Sequence, residues 1–458
     1  MNRDDVRVPT PSRHVIPLRT AFRAWFLISW QTFGGPAGQI AVMHRELVEQ
    51  RRWIGERRFL HAMSYCMLLP GPEAQQLAIY SGWLLNGWLG GVIAGVLFVV
   101  PGFVTILALS WVYVAHGDSA VVTGVLLGLA AAVLPIVVQA VLRVGSRAVR
   151  NRVLLGLAVG AFLGLAVLAV PFPLVVLLAG VAGWLIGRRR PELVRVPEKP
   201  LAPDEEPPLI PDDALHRAPR SARRNLVVLV VGLVLWVAPV ALAFTLAGGE
   251  RTVLVDQGVF FGGLALVTFG GAYAVLAYVA QAAVEQYHWL TAREMVRGLA
   301  LAETTPGPLI MVVQFVAFLG AFRDPGALDP WATAVLASLL VVWVTFVPGF
   351  LFIFLGAPYV ERLRGNEPLT AALSGVTAAV VGVIANLALY FVVHTLFAEA
   401  DRVGWEHLGL LVPDWSSLQW EPAVLGALGT VLVFGLRWST LRTLAVCGAA
   451  GLALTLLT

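Results

Sequence analysis

Two glutamates lie inside apolar stretches, each beside a Pro-Gly-Pro sequence. Glu73 directly follows the PGP at 70–72, and Glu303 precedes the PGP at 306–308 by three residues. A carboxylate is costly in hydrocarbon, and burial favours its protonated form. Both glutamates are therefore predicted to take part in proton coupling. The alternatives are a first-turn acid at a helix N-terminus for Glu73 and a buried, hydrogen-bonded acid for Glu303.

Two further breaks contain paired glycines, FGGP at 33–36 and FGGA at 269–272. A helix that starts after such a break presents unpaired N–H groups and the positive end of its dipole. Four such ends brought together would bind a tetrahedral oxyanion through backbone amides. The alternative is that these helices are broken only for packing.

The predicted substrate-binding residues come from these four breaks and from polar side chains near them. The glutamines and threonines would donate hydrogen bonds to the substrate. Arg45 would attract a dianion, although membrane topology alone also explains an arginine there. The set is Gly34, Gly35, Pro36, Gly71, Pro72, Gln75, Gln76, Gly270, Gly271, Thr304, Thr305, Gly307 and Arg45.

The composition is that of an all-α polytopic membrane protein. The 458 residues are 58% hydrophobic and 13% charged, with a mean hydropathy of +0.79, whereas soluble domains are about a quarter charged. Residues 1–17 lack the apolar region of a cleavable signal peptide. The uninterrupted apolar segments predicted to span the bilayer are 88–115, 120–142, 153–169, 172–186, 226–246, 333–356, 369–396, 422–436 and 441–457.

Missing motifs narrow the chemistry. The single lysine, Lys199, lies in a Pro-rich segment, so the chain has no Walker A loop. Neither HExxH nor GxSxG occurs, and Cys66 and Cys447 form no CxxC pair. We therefore predict no enzyme activity, no cofactor, no metal site and no nucleic-acid binding. A membrane enzyme that uses Glu73 and Glu303 as an acid/base pair is the less favoured alternative.

The sequence contains an internal repeat. FGG and PGP both recur at an offset of 236 residues, and the PGF at 101–103 recurs at 348–350, an offset of 247. The predicted organisation is an N-terminal repeat (1–187), a cytoplasmic linker (188–224), a connecting helix (225–247) and a C-terminal repeat (248–458).

The unmatched helix 226–246 places the two repeats in opposite orientations, since each repeat has an even number of crossings. The loop 45–58 carries five arginines, and its counterpart 281–293 carries one. This asymmetry favours re-entrant hairpins, with the first loop inside the cell and the second outside, over broken segments that cross. Inverted repeats with interrupted helices commonly bind substrate where the breaks meet.

At these breaks the chain resembles the chromate ion transporter family, in its long, two-domain form. The matching segments are FGGPAGQIAVMHRELVEQRRWI (33–54), LLPGPEAQQLAIYSGW (68–83), FGGAYAVLAYVAQ (269–281) and LAETTPGPLIMVVQF (301–315). Many relatives have a histidine where this chain has Gln39, and an arginine where it has His44.

The resemblance implies a secondary transporter that exports chromate across the inner membrane of a bacterium. The proton gradient would supply the energy, as in an antiporter. Sulfate is the alternative substrate, because it is isosteric with chromate, and an anion importer is the alternative direction. The partners implied are an oxyanion, protons and the lipid bilayer. Oligomeric state is left open by the sequence, a homodimer included.

Overall fold

The protein is almost entirely helical. The computed structural model describes residues 16–194, 208–210, 221–269, 272–357, 367–405 and 408–458. The N-terminal helices are α1 (Leu18–Gln31), α2 (Gly35–His44, continued by a π-helical turn Arg45–Gln50), α3 (Glu56–Cys66), α4 (Glu73–His116), α5 (Ala120–Ala148), α6 (Arg152–Ala166) and α7 (Phe172–Arg189). A 3₁₀ turn, Pro191–Leu193, follows α7, and α8 is Ala222–Leu246.

The C-terminal helices repeat this order of short, broken elements before longer ones. They are α9 (Val253–Val267), α10 (Ala272–Gln281, continued by a π-helical turn Ala282–Gln286), α11 (Ala292–Thr304), α12 (Val312–Arg323, preceded by a 3₁₀ turn Leu309–Met311), α13 (Pro330–Gly356), α14 (Glu367–Leu396), α15 (Trp420–Thr430, continued by a π-helical turn Val431–Gly435) and α16 (Thr440–Leu457).

Helix length and apolarity confirm the predicted polytopic membrane protein. Among the described residues, seven helices are long and apolar enough to cross a membrane: α4, α5, α7, α8, α13, α14 and α16. α4 contains a kink at Asn86 and Gly87, where the backbone leaves helical values. The kink divides the predicted half-helix that begins at Glu73 from the predicted span 88–115.

A β-hairpin lies between α14 and α15, outside the predicted membrane spans. Strands β1 (Ala400–Trp405) and β2 (Leu408–Pro413) pair antiparallel, with Ala400 opposite Pro413. A 3₁₀ turn, Trp415–Ser417, follows. The hairpin contacts the loop after α6, where the Gly409 N–H donates to the Val167 carbonyl.

The outer ends of α11 and α12, the two helices that flank the second PGP, lie next to each other. Arg323 at the end of α12 makes an ion pair with Glu294 in the first turn of α11, with Nη2 and Oε1 2.5 Å apart. The same guanidinium donates to the Trp289 carbonyl, in the loop before α11. A pair of half-helices whose outer ends touch is a hairpin, because a segment that crossed the bilayer would separate those ends by about 30 Å.

The arginine-rich linker contacts the first basic loop. The Ile210 N–H donates to the Trp53 carbonyl at 3.1 Å, and the Gly55 N–H donates to the Ile210 carbonyl at 3.3 Å. Residues 208–210 of the linker therefore lie beside the loop 45–58.

Long helices from the two ends of the chain pack across each other. α5 packs against α15 and α16, and α14 packs against α6 and α7. Glycines permit close approach of these backbones, since a Cβ on Gly375 would collide with Ala179 and Gly183. Small residues at helix crossings are typical of membrane interfaces, where close van der Waals contact drives association.

Candidate functional site

The four helix breaks pair crosswise at the centre of the protein. The Gly71 N–H in the first PGP donates to the Thr268 carbonyl, just before the second glycine pair, at 2.9 Å. The Gly307 N–H in the second PGP donates to the Thr32 carbonyl, just before the first glycine pair, at 2.8 Å. Each PGP is thus fixed to a break more than 190 residues away in the chain.

The longer helices also reach into this centre through their own glycines. A Cβ on Gly102 in α4 would lie 2.8 Å from the Pro306 carbonyl oxygen, and a Cβ on Gly349 in α13 would lie 2.8 Å from Gln75 Oε1. The Gln39 side chain donates to the Gly307 carbonyl at 2.6 Å. Backbone therefore approaches backbone closely at the second PGP turn, and α13 packs on the Gln75 side chain just after the first.

Helix ends at the breaks lack side-chain caps. α2 begins after Gly34, α4 after Pro72 and the turn before α12 after Pro308, and none of these three residues accepts a capping hydrogen bond through its side chain. By contrast, Asn151 and Asp329 cap α6 and α13 through their side chains. Uncapped N–H groups and positive dipole ends favour an anion.

Glu303 is buried beside one of these ends. Its Oε1 accepts a hydrogen bond from the Tyr273 hydroxyl at 2.5 Å. Its Oε2 is also buried and has no partner in the described part of the chain. The Tyr273 hydroxyl lies 3.7 Å from the Cβ position of Gly35, so one side chain links Glu303 to the first glycine pair.

Arg143, on α5, is a cation near this pair. Its charge acts on both Glu303 and Tyr273, and its guanidinium donates to Gln139 at 3.0 Å. An intramembrane carboxylate with a tyrosine donor and an arginine nearby is typical of ion and proton sites in membrane proteins.

Glu73 is partly buried in the first turn of α4. Its position agrees with a first-turn acid next to a helix N-terminus, and its side chain makes no hydrogen bond within the described residues. The neighbouring glutamines are fully buried. Gln75 donates to the Phe346 carbonyl at 3.4 Å and Gln76 donates to the Pro70 carbonyl at 2.7 Å. Both Oε1 atoms lack partners among the described residues.

Other predicted residues lie in less direct positions. The hydroxyls of Thr304 and Thr305 donate to carbonyls of their own helix, at 2.7 and 2.9 Å, which leaves only their lone pairs free. Arg45 is exposed at the end of α2 and donates to Gln31. Pro36 occupies the first turn of α2. Gly270 and Gly271 lie outside the described residues.

Four residues of the centre were missing from the predicted set. Thr32 and Thr268 contribute backbone carbonyls, which leave no signal in a sequence. Gln39 and Tyr273 contribute side chains, and both stand within a few residues of a glycine pair. A polar residue within the first five residues of a half-helix is the signal that would have identified them.

Fold and centre together define an all-α polytopic membrane protein with broken helices that converge on uncapped helix ends. Broken helices that meet inside the membrane commonly line the substrate sites of transporters. The chain matches the family described as "Chromate transporter" over residues 19–184 and 255–453, and it belongs to that family. The two matched blocks flank the linker and α8.

Similar proteins include two chromate transport proteins. One, from Pseudomonas aeruginosa, is 31% identical over 82% of this chain and 80% of its own length. The other, from Cupriavidus metallidurans, is 30% identical over 77% of each chain. A probable chromate transport protein from Synechococcus elongatus is 28% identical over 77% of this chain and 79% of its own length. No solved structure matches.

Proposed function

We propose that this protein exports chromate, or a related tetrahedral oxyanion, across the inner membrane of a bacterium, and that the proton gradient drives the export. The observation that carries the proposal is the crosswise pairing of the four breaks, because it brings uncapped helix ends and a buried glutamate together. The names of the relatives supply chromate as the substrate.

An oxyanion at this centre would be held by backbone. The N-terminal ends of α2 and α4, and of the turn before α12, supply N–H donors and positive dipole ends at no cost of side-chain ordering. A dianion also needs a low-dielectric site with fixed donors, where such dipoles act most strongly. The halves would contribute to this site as an inverted pair, which the repeated element order supports.

Proton coupling would follow from Glu303. While the carboxyl is protonated, it adds no negative charge beside the anion. When the proton leaves, two like charges a few ångströms apart repel by about 4 kcal/mol at an effective dielectric constant near 20. The protonation state of Glu303 and the occupancy of the oxyanion site would therefore be linked. The Tyr273 hydroxyl would hold the carboxylate in place during this step.

Transport of radiolabelled chromate into inverted membrane vesicles tests the proposal. An imposed pH gradient is expected to drive accumulation, and an uncoupler is expected to abolish it. Parallel vesicles with radiolabelled sulfate distinguish a chromate carrier from a general carrier of tetrahedral dianions. Chromate movement that is absent, or independent of the pH gradient, would refute the proposal.

A further inference from the structure

A polar cavity of 130 Å³ lies between α10 and α14, away from the helix breaks. α10 and its π-helical extension supply Gln281 and Glu285, and α14 supplies Asn386, Tyr390 and His394. Residues 386, 390 and 394 are spaced by four, as are 281 and 285, so each helix presents a polar stripe to the other. The remaining lining is apolar. It comes from α6 and β2 and from the same two helices: Leu165, Ala166, Leu411, Ala277, Ala280, Val284, Leu387 and Leu389.

Polar groups in the cavity are only partly satisfied. The Tyr390 hydroxyl is buried without a partner in the described part of the chain. His394 Nδ1 lies 2.8 Å from the Tyr390 carbonyl oxygen, to which it donates, leaving Nε2 free to accept. The negative charge of Glu285 acts on both of these side chains. A buried tyrosine hydroxyl without a partner, beside a histidine and a glutamate inside a membrane protein, marks a candidate functional site.

One face of α10 joins this cavity to the central site. Ala277 lines the cavity, and it stands one turn after Tyr273, the donor to Glu303. Residues four apart share a helix face and are separated by about 6 Å along the axis. Two small side chains that line the cavity, Ala277 and Ala280, therefore lie between Tyr273 and Glu285 along α10.

The cavity is at the end of the molecule opposite the arginine-rich linker. α14 starts on the linker side, where Ser374 donates to the Val194 carbonyl at 3.0 Å, and it ends beside the hairpin. Its 30 residues span about 45 Å. The cavity residues belong to its second half.

In the first repeat, the positions that correspond to three of these cavity residues carry arginine. At the repeat offsets, Gln281 corresponds to Arg45, Tyr390 to Arg143 and His394 to Arg147. All three arginines are exposed. α2 and α5, which carry them, do not pack on each other as α10 and α14 do. The linker side thus carries three arginines at these positions, whereas the hairpin side carries Glu285 and a packed contact between α10 and α14.

We propose that the contact between α10 and α14 is a closed exit gate, and that the polar cavity is the vestibule through which the oxyanion leaves when these helices separate. The inference rests on the proposed transport function. Arg45, Arg143 and Arg147 attract a dianion at the linker side, whereas Glu285 repels it at the hairpin side. The charges therefore favour entry at the linker side and exit at the hairpin side.

A reversible cross-link tests the gate. In a background with Cys66 and Cys447 replaced by serine, Ala277→Cys and Leu387→Cys place one thiol on each side of the cavity. A bifunctional thiosulfonate reagent is expected to reduce chromate flux in proteoliposomes at least tenfold, and a reductant is expected to restore it. Equilibrium binding of chromate should remain. Unchanged flux after complete cross-linking, or failure of the thiols to cross-link, would overturn the proposal.

A matched cross-link provides the control. Gly180→Cys and Val376→Cys join α7 to α14, where a Cβ on Gly180 would lie 3.4 Å from Val376. Since the contact between α7 and α14 is packed tightly and is not the contact that opens in the gate, this cross-link is expected to leave chromate flux unchanged. Equal loss of flux in both cross-linked proteins would mean that any restraint on α14 blocks transport, and would refute a gate between α10 and α14.

Labelling separates the gate from the proposed function. The Ala277→Cys protein is treated with a membrane-impermeant thiol reagent added at either side, with and without sulfate or chromate. Faster labelling from the hairpin side when anion is present supports the gate, even if no proton-driven flux is found. Labelling from the linker side alone, or none from either side, would contradict the gate, even if chromate transport is established.

Discussion

Glu303 and Tyr273 are the side chains through which the centre would sense protons. Their hydrogen bond of 2.5 Å is partly buried, and Glu303 is 2% exposed. A glutamine at 303 keeps the shape and one acceptor but cannot ionise. We expect Glu303→Gln to fold normally and to lose the dependence of chromate flux on the pH gradient. Flux measured in proteoliposomes over a series of imposed gradients checks this, and an unchanged dependence would remove Glu303 from coupling.

Tyr273→Phe tests whether the tyrosine hydroxyl positions the Glu303 carboxyl, while leaving Glu303 able to ionise. The substitution keeps the ring and removes the donor to Glu303. Hydrogen bonds to charged groups contribute about 1.5–3 kcal/mol, so we expect chromate flux to fall roughly tenfold or more while its pH dependence remains, displaced along the pH axis. Tyr278→Phe, on the same helix, is the control. Wild-type flux in the Tyr273→Phe protein would mean that Glu303 needs no fixed orientation.

The first PGP turn requires glycine at position 71. Its φ of +112° is strained for any residue with a Cβ, and its N–H is bonded to Thr268. Strain of this kind costs about 1–3 kcal/mol. Gly71→Val should therefore abolish chromate flux and lower thermal stability, as measured in detergent by fluorescence-detected size exclusion.

Gly160→Ala is the matched control for that substitution. Gly160 lies in α6 with open space around its Cβ position, and alanine favours a helix. We expect wild-type flux and unchanged or slightly higher stability. A Gly71→Val protein that behaves like this control would contradict an essential backbone contact at the PGP turn.

At the scale of elements, the ion pair between Arg323 and Glu294 joins the outer ends of the α11–α12 hairpin. Arg323 is 46% exposed and Glu294 12% exposed, so solvent screening limits the contribution of the pair to about 1 kcal/mol or less. We expect Arg323→Gln to reduce thermal stability slightly and to increase protease cleavage in the loop 287–291. The exchanged pair Glu294→Arg with Arg323→Glu should recover part of the loss. Equal cleavage in all three proteins would show that other contacts hold the hairpin.

The crossing of α7 and α14 depends on glycine. A side chain at Gly375 would meet the backbone of Ala179 and Gly183, and overpacking typically costs about 1–3 kcal/mol. Gly375→Leu should lower the melting temperature clearly, whereas Gly156→Leu, at a position with open space, should not. Similar melting temperatures for the two variants would contradict a tight crossing.

At the scale of the whole molecule, the long helices α5 and α14 each pack against helices from the other half of the chain. α5 packs against α15 and α16, and α14 against α6 and α7. Each part alone would expose these glycine-rich surfaces. We therefore expect chains 1–200 and 201–458 to be degraded when expressed separately, and to co-purify and transport chromate when expressed together. A stable, monomeric N-terminal part would refute this mutual dependence.

Local chemistry accounts for what the sequence predicted. Long apolar segments predict spans because only a satisfied backbone enters lipid. Glycine and proline mark the breaks because they change the backbone at their own positions. The positions of α5, α8, α13 and α14, the two PGP turns and the burial of Glu303 were all predictable on this basis.

Only the tertiary structure decided which of these local features meet. The pairing of Gly71 with Thr268, the bond from Tyr273 to Glu303 and the polar stripe on α14 that faces α10 all depend on the packing of helices. The hairpin at 400–413 was also missed. A stripe of Asn386, Tyr390 and His394 looks the same in a sequence whether it faces lipid or a partner helix. Its surroundings are fixed by contacts between residues about a hundred or more positions apart, and no local propensity encodes those contacts.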